Sequence, residues 1–414
     1  MAGFAFRNDT LTCDGIALEA VARDAGTPVY VYSAPLIRER FAVFDAAFAG
    51  VPHAVHYALK ANSTLAVVRL ARALGARADA NSGGEIEVAL RAGFLPGDIV
   101  FTGVGKTAAE LTRAISLGVR AINAESPGEV ARIAQIARAV GTRARVAVRI
   151  NPDVDAGSHP HISTGLKTTK FGMSIDDARQ LVREMQKQPA LQIVGLHVHI
   201  GSQITQADPL ARAAQALAEL ARDVMAGGVA LEHLDIGGGL GIAYTQDQVT
   251  LSPAAYAAAV LPALKPLGLE IVLEPGRWIV APAGALVARV VDLKAQPGGR
   301  WFVVVDAGMT DLLRPALYGA WHGIDVVRPR SGAPIDCDIV GPVCETSDTL
   351  GTGRTLPPVD VGDLIAVRDT GAYGAIMASN YNRRPTAAEV MVDAGEWRVV
   401  RRRQTIDDML QWDE

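Results

Sequence analysis

The sequence predicts an α/β protein: a (β/α)8 TIM-like barrel plus a C-terminal antiparallel β domain that also includes an N-terminal strand. Three observations predict it. From residue 55 onward, short β-type runs alternate with amphipathic helical runs, which implies parallel strands and right-handed crossovers. Eight such units follow one another within about 220 residues, the count and size of a (β/α)8 barrel. After residue 281 the alternation stops and β-type runs follow one another between Gly, Pro and Asp turns, as in an antiparallel sheet or small barrel.

The candidate barrel strands are "VHYALK" (55–60), "ARADAN" (76–81), "DIVFTG" (98–103), "VRAINA" (119–124), "RVAVRI" (145–150), "IVGLHVHI" (193–200), "LEHLDIG" (231–237) and "EIVLEP" (270–275). Helix-period runs such as "TLAVVRLARALG", "GEIEVALRAG" and "AAELTRAISLG" lie between them, several ending on a C-terminal glycine. The Ala-rich stretch 253–264, with prolines at both ends, reads as a packed helix. Ahead of the barrel, "PVYVYS" (28–33) reads as a strand. Behind it, "ALVARVVDLKA", "RWFVVVDAG", "PIDCDIVGPVC" and "DLIAVRDTG" supply the second β region. The expected organisation is an N-terminal segment 1–35 joining the β domain, a barrel over 36–280 and a C-terminal β domain over 281–414.

Bulk properties narrow the function classes. Hydrophobic residues make up 49% and charged residues 20% of 414, an ordinary globular balance. A net charge of −4 gives no basic footprint for nucleic acid or an anionic membrane. Three scattered cysteines (Cys13, Cys337, Cys344) suit neither a zinc site nor a disulfide framework, so no metal is expected and a reducing, cytoplasmic setting is. The N-terminus lacks the pattern of a signal peptide. No uncharged run reaches the roughly 18 apolar residues of a membrane span.

Chemistry in such a barrel gathers where the strands end at their C-terminal face. The first strand ends in Lys60, the second in Asn81 and Ser82, and the fifth runs into Asn151. The sixth ends in His199, Gly201, Ser202 and Gln203, the seventh in "GGGLG" (237–241) and the eighth in "EPGR" (274–277). Taken singly, each has an ordinary explanation: a rim lysine, a structural histidine, a turn. Together they complement one another. A desolvated lysine amine forms Schiff bases. Close-approaching glycine amides cradle phosphate. A carboxylate holds a pyridine nitrogen protonated, and an imidazole stacks on an aromatic ring. That set describes a pocket for pyridoxal 5'-phosphate.

The motifs "YALKAN", "HVHIGSQ", "DIGGGLG", "EPGR", "RPALY" and "GPVCET", in this order, resemble those of the diaminopimelate decarboxylase family, in the alanine-racemase-like class of pyridoxal-phosphate enzymes. The resemblance runs nearly end to end, through "DGIALEAVARDAGTPVYVYS", "TGLKTTKFGM" (164–173) and "NYNRRPTAAEVMV" (380–392). It implies decarboxylation of meso-2,6-diaminopimelate to L-lysine and CO2, the last step of bacterial lysine biosynthesis. By matching residue, Lys60 would hold the cofactor covalently, Glu274 would face its pyridine nitrogen, and His199 would stack on its ring with Ser202 close by. Gly238 and Gly239, with the backbone of Gly276 and Arg277 and with Tyr373, would bind its phosphate. Arg277, Arg314 and Tyr318, together with Tyr373, would bind substrate, and Glu345 would hold the distal ammonium. Cys344 would be the proton donor. The resemblance also implies a homodimer whose "GPVCE" segment reaches the active site of the partner subunit.

Racemases of this fold typically place an arginine at the pyridine nitrogen, so Glu274 speaks for decarboxylation. Two other readings stay open: a decarboxylase for ornithine, arginine, lysine or a carboxylated polyamine, and a non-catalytic regulator of the same fold. Thr346 departs from the serine common in the family by one methyl group. The segment 151–170, rich in Gly, His, Ser and Thr, is the expected mobile element.

Overall fold

Each barrel strand is short because its β-branched or small residues soon give way to a capped helix or a glycine turn. In the computed structural model, which describes residues 2–155 and 169–413, the strands are β1 (His53–Ala58), β2 (Arg77–Ala80), β3 (Ile99–Phe101), β4 (Ala121–Ala124), β5 (Ala144–Ile150), β6 (Leu191–Val198), β7 (His233–Asp235) and β8 (Glu270–Leu273). All eight pair with parallel neighbours and β8 closes on β1. Ser82, Thr107, Ser126, Ser174 and Ser252 cap the following helices by accepting from a backbone N–H three residues on. Gly93, Gly118 and Gly141 end three of them in the left-handed region. The Ala-rich helix Pro253–Leu264 buries Tyr256, Ala257, Val260 and Leu264, as expected of a packed helix. Most of the expected mobile segment, 156–168, lies outside the described residues.

The chain divides into two compact units. One comprises Phe41–Ile242 and Val249–Trp278; the other comprises Met1–Arg40, Ala243–Gln248 and Ile279–Glu414. The second unit carries a nine-stranded sheet built around the long strand Gly284–Ala295. The strand expected at 28–33 is Val29–Ser33, lying antiparallel to Gly284–Ala295 and parallel to Ala388–Asp393. Two pairs are therefore not antiparallel as expected: this one, and Trp301–Val305 with Ile335–Val340. Both bring together segments distant in sequence, where no hairpin dictates direction. Val29, Val31, Val287, Ala366, Val390 and Val392 form its core with Leu11, Leu18 and Val21. A three-stranded sheet at residues 4–17 was not anticipated; Asn8 and Asp9 take positive φ in its first turn.

The barrel interior is unusually polar. Paired residues on parallel strands share a face. Asp79 pairs with Val100, Arg149 with His197, and His197 with Asp235. Thr102, just past β3, donates across the barrel to Glu274, just past β8, at 3.5 Å, and Asn123 Nδ2 donates to Thr102 at 2.9 Å. Val100, Ala121, Ala147 and Val194 make a small apolar cluster there. Below them His56 and His233 are fully buried, and burial lowers each imidazole to a pKa of about 3, so both are neutral.

His233 fits because its neighbour across β6–β7 is Gly195: a Cβ there would lie 2.5 Å from Nε2 and 2.8 Å from the adjacent ring carbons. A ring enclosed on all sides cannot swing away. Gly195→Ala is therefore expected to destabilise the folded chain by about 1–3 kcal/mol, read as a lower urea midpoint with an unchanged slope.

Candidate active site

Lys60 lies just beyond β1 rather than at its end. The strand stops at Ala58, and Leu59–Ala61 form a single 3-10 turn. The Tyr57 hydroxyl donates to the Asn62 carbonyl at 2.8 Å, and Asn62 Oδ1 accepts from Thr64 N at 3.0 Å, which together fix the turn. The turn packs on the one after β8. Ala58 N donates to Pro275 O at 3.2 Å, and a Cβ on Gly276 would lie 2.8 Å from that of Ala61. Lys60 and Glu274 thus sit on adjoining turns. Lys60 Nζ is 3.3 Å from Oδ2 of Asp79, whose side chain is fully buried. Burial and then the charge of Glu274 raise the Asp79 carboxyl above its ordinary value, with Lys60 opposing. Asn81 Nδ2 also donates to both Asp79 oxygens at 3.2 Å.

Glu274 is 3% exposed. Burial works against its ionisation, but His197, Lys60 and His199 outweigh it and hold the carboxyl well below the usual range. Its Oε2 is buried with no hydrogen-bond partner among the described residues. His199 stands at the rim, two residues beyond His197. Desolvation first, then the charges of Lys60 and Arg149, hold it well below its ordinary value, so the ring is neutral. Its Nδ1 lies 3.2 Å from the Gly238 N–H. Nδ1 is therefore the acceptor, and the proton resides on Nε2.

The glycine turn after β7 is glycine for steric reasons. Added Cβ atoms would lie 2.6 Å from His199 Nδ1 at Gly237 and 2.1 Å from Glu274 O at Gly238; at Gly239, where φ is +97°, the Cβ would meet Gly201 O at 2.7 Å. Ile204 N donates to Gly239 O and Gly241 N to Ile204 O, tying the turn to the segment after β6. Arg277 is buried, and its Nε and Nη2 donate to Ser202 Oγ at 3.2 and 3.0 Å. The barrel unit thus gathers Lys60, His199, Ser202, Gly238, Gly239, Glu274, Gly276 and Arg277 at one end of the strands.

The remaining expected residues belong to the β unit. Arg314, buried at the start of Arg314–Tyr318, has Nη1 2.7 Å from His322 Nε2 and its guanidinium over the Tyr244 ring at 5.0 Å. His322 Nδ1 faces the Arg368 carbonyl at 2.7 Å. A guanidinium only donates and a carbonyl only accepts, so His322 carries its proton on Nδ1. Tyr318 and Tyr373 are half-buried; Tyr373 takes a φ of +57°. Cys344 and Glu345 are exposed on a loop pinned by buried Asp348, which accepts from Val343 N at 2.6 Å and Met309 N at 2.5 Å. Cys344 N itself donates to Asn382 Oδ1 at 3.0 Å. Sequence reasoning missed Asp79, His197, Asp235, Tyr244 and His322. The first three stand two residues before Asn81, His199 and Gly237, each a position that had been singled out, and so share a strand face with it.

Residues 35–281 match the family described as pyridoxal-dependent decarboxylase, pyridoxal binding domain. A diaminopimelate decarboxylase from Neisseria meningitidis serogroup A is 46% identical over 97% of this chain and 98% of its own length. The chain belongs to this family. Among solved structures, diaminopimelate decarboxylase from Helicobacter pylori complexed with L-lysine superposes with a TM-score of 0.92 at 42% identity, covering 95% of this chain and 98% of the other. The enzyme from M. jannaschii in co-complex with L-lysine gives 0.95 at 34% identity, covering 100% and 99%. Members are pyridoxal-phosphate-dependent carboxy-lyases, and the residues here fit that cofactor. A buried carboxylate, Glu274, stands on the turn adjoining that of a rim lysine, and the glycine turn packed against it admits no Cβ. Gly238→Ala would drive the turn off β8, so the purified variant is expected to lose most of its cofactor uptake, read as the visible absorbance retained after gel filtration.

Proposed function

We infer that the chain carries out its family's reaction, the decarboxylation of meso-2,6-diaminopimelate to L-lysine and CO2, with Lys60 as the covalent anchor of pyridoxal phosphate. When bound, pyridoxal phosphate supplies an electron-withdrawing pyridine ring that accepts the electron pair released as CO2 leaves. The chain's own residues do the rest. Glu274, kept ionised, holds a proton at the pyridine nitrogen and so strengthens the electron sink. His199, neutral and fixed by Gly238, offers a flat face to the ring. Gly238, Gly239, Gly276, Arg277 and Ser202 hold the phosphate end, joined by Tyr373. Asp79 orients the Lys60 side chain toward the cofactor. The observation that carries this reading is Glu274, a carboxylate ionised despite burial, on the turn adjoining Lys60.

Substrate contacts fall to Arg277, Arg314 and Tyr318 for carboxylate, since guanidinium matches carboxylate bidentately, and to Glu345 for the distal ammonium. The Arg314 side chain is buried against Tyr244 and His322, which support its orientation. Cys344 supplies the proton to the α-carbon. Cys344 and Glu345 are exposed on their own chain, which suits a homodimer in which their loop serves the partner subunit. Three unpaired cysteines suit a reducing, cytoplasmic compartment. Among the described residues no helix is long and apolar enough to cross a membrane.

Purified protein with pyridoxal phosphate is expected to release CO2 from meso-diaminopimelate and to leave L-lysine, L-ornithine and L-arginine untouched. Turnover of ornithine or arginine instead would retain the cofactor chemistry and overturn the roles of Arg314 and Glu345. For the shared site, Lys60→Ala and Cys344→Ala chains, each inactive alone, are expected to regain part of the activity when mixed. No recovery, with subunit exchange confirmed by native mass spectrometry, would remove Cys344 from the partner's site.

A further inference from the structure

Beneath Glu274 lie two groups that the reaction as described leaves unused. His197, Asp235 and Glu274 are all buried, and one nitrogen or oxygen from each lies within 4.8 Å of the others. His197 Nε2 is 3.4 Å from Glu274 Oε2. Asp235 Oδ1 accepts from the Gly237 N–H at 2.8 Å. Asp235 Oδ2, Glu274 Oε2 and both His197 ring nitrogens have no hydrogen-bond partner of ordinary geometry among the described residues. Two ionised carboxylates are acceptors only, so neither could satisfy the other, and like charges this close in a buried interior disfavour ionisation of both. A single proton between them resolves both orphans.

We propose that Asp235 is a neutral carboxylic acid whose Oδ2–H donates to Glu274, and that with His197 it keeps Glu274 ionised. The proton belongs on Asp235 because Glu274 faces His197, Lys60, His199 and Thr102, whereas Asp235 receives one backbone N–H. Burial and then the neighbouring Glu274 charge raise the Asp235 carboxyl well above its ordinary value, in the same sense. A carboxylate offers about four lone-pair sites. Thr102, His197 and Asp235 supply three donors, leaving one for the pyridine nitrogen. Asp235 also ties the two ends of the cofactor pocket together, since its other oxygen holds the Gly237 N–H at the head of the glycine turn. Asp235 and His197 are thus positioning residues acting through Glu274 and Gly237.

This rests on pyridoxal phosphate occupying the site, and the test separates the two claims. Holoenzymes of wild type, Asp235→Asn and Asp235→Ala are prepared with pyridoxal phosphate isotope-labelled at the pyridine nitrogen. That nitrogen's chemical shift and the cofactor Kd are then measured, with circular dichroism confirming the fold. An amide keeps a neutral donor and a carbonyl acceptor, so Asp235→Asn is expected to preserve the wild-type shift and a Kd within about threefold. Asp235→Ala removes the donor, allows Glu274 to take the proton, and is expected to move the shift toward neutral pyridine and weaken binding by about 10–100-fold, as for other supporting partners of a site ligand. If Asp235→Asn behaves like Asp235→Ala, or Asp235→Ala leaves the shift unchanged, the neutral-donor role is overturned. Stoichiometric transition metal in purified wild type, lost in Asp235→Asn, would overturn it in favour of a metal site. Wild type that takes up no pyridoxal phosphate would overturn the cofactor reading, and this one with it.

Discussion

An ionised carboxylate inside a closed barrel sets the terms for the rest of this site. Desolvating such an ion costs several kcal/mol even after relaxation, and Glu274 is almost wholly removed from water. The compensation is distributed. Thr102 reaches it from β3 and His197 from β6, while the charge of Lys60 acts from the turn after β1. That demand explains why the barrel interior is filled with Asp79, Asn123, Arg149, His197 and Asp235 where most barrels of this type pack branched aliphatic side chains. It also explains the glycines. A crowded polar interior leaves room for His233 only beside Gly195, and for His199 only beside Gly237.

Much of this was legible in the sequence, for identifiable reasons. All eight barrel strands were found, because their alternation with helical runs is a strong, repeated signal. Most of their bounds were misplaced by one or two residues, since a 3-10 turn such as Leu59–Ala61 continues a strand's hydrophobicity without its geometry. The rim residues Lys60, His199 and Glu274 were found because they end strands. Asp79, His197 and Asp235 were not, although strand periodicity places each on the same face as a residue already chosen. Their importance lies in burial, which a sequence conveys only once the barrel's inside has been identified. Tyr244 and His322 carried no local signal at all: they matter through Arg314, which His322 meets from eight residues on and Tyr244 from far back in the chain. The N-terminal hairpins were legible in principle, through Asn8-Asp9 and Asp14-Gly15, but their strands are too short for an alternation to register.

The β unit shows a different strategy for placing chemistry. Cys344 and Glu345 sit on a loop exposed to solvent, yet the loop is not loosely held. The Asp348 carboxylate is buried and gathers the Val343 and Met309 amides. Both Gly308 and Gly341 press against it so closely that a Cβ would lie within 2.8 Å. A buried acid thus serves as the frame on which the exposed Cys344 and Glu345 are displayed. Arg314 is treated in the opposite way: it is buried, with one nitrogen committed to His322 and its flat face on Tyr244.

The pairing of Val29–Ser33 has a bearing on how the chain comes into being. This strand lies between Gly284–Ala295 and Ala388–Asp393, so a segment made before the barrel waits for two that are made after it. At roughly 5–20 residues per second, the wait is on the order of tens of seconds. One edge of the strand, rich in tyrosine and valine, has no native partner until Gly284–Ala295 emerges, and the other none until Ala388–Asp393 does, while the barrel strands emerge in the order in which they pair. The nascent protein therefore passes through a stage in which the barrel strands are all made but the sheet still awaits Ala388–Asp393. Protection of that early strand, rather than assembly of the barrel, is the demand that this topology makes on the cell's folding machinery.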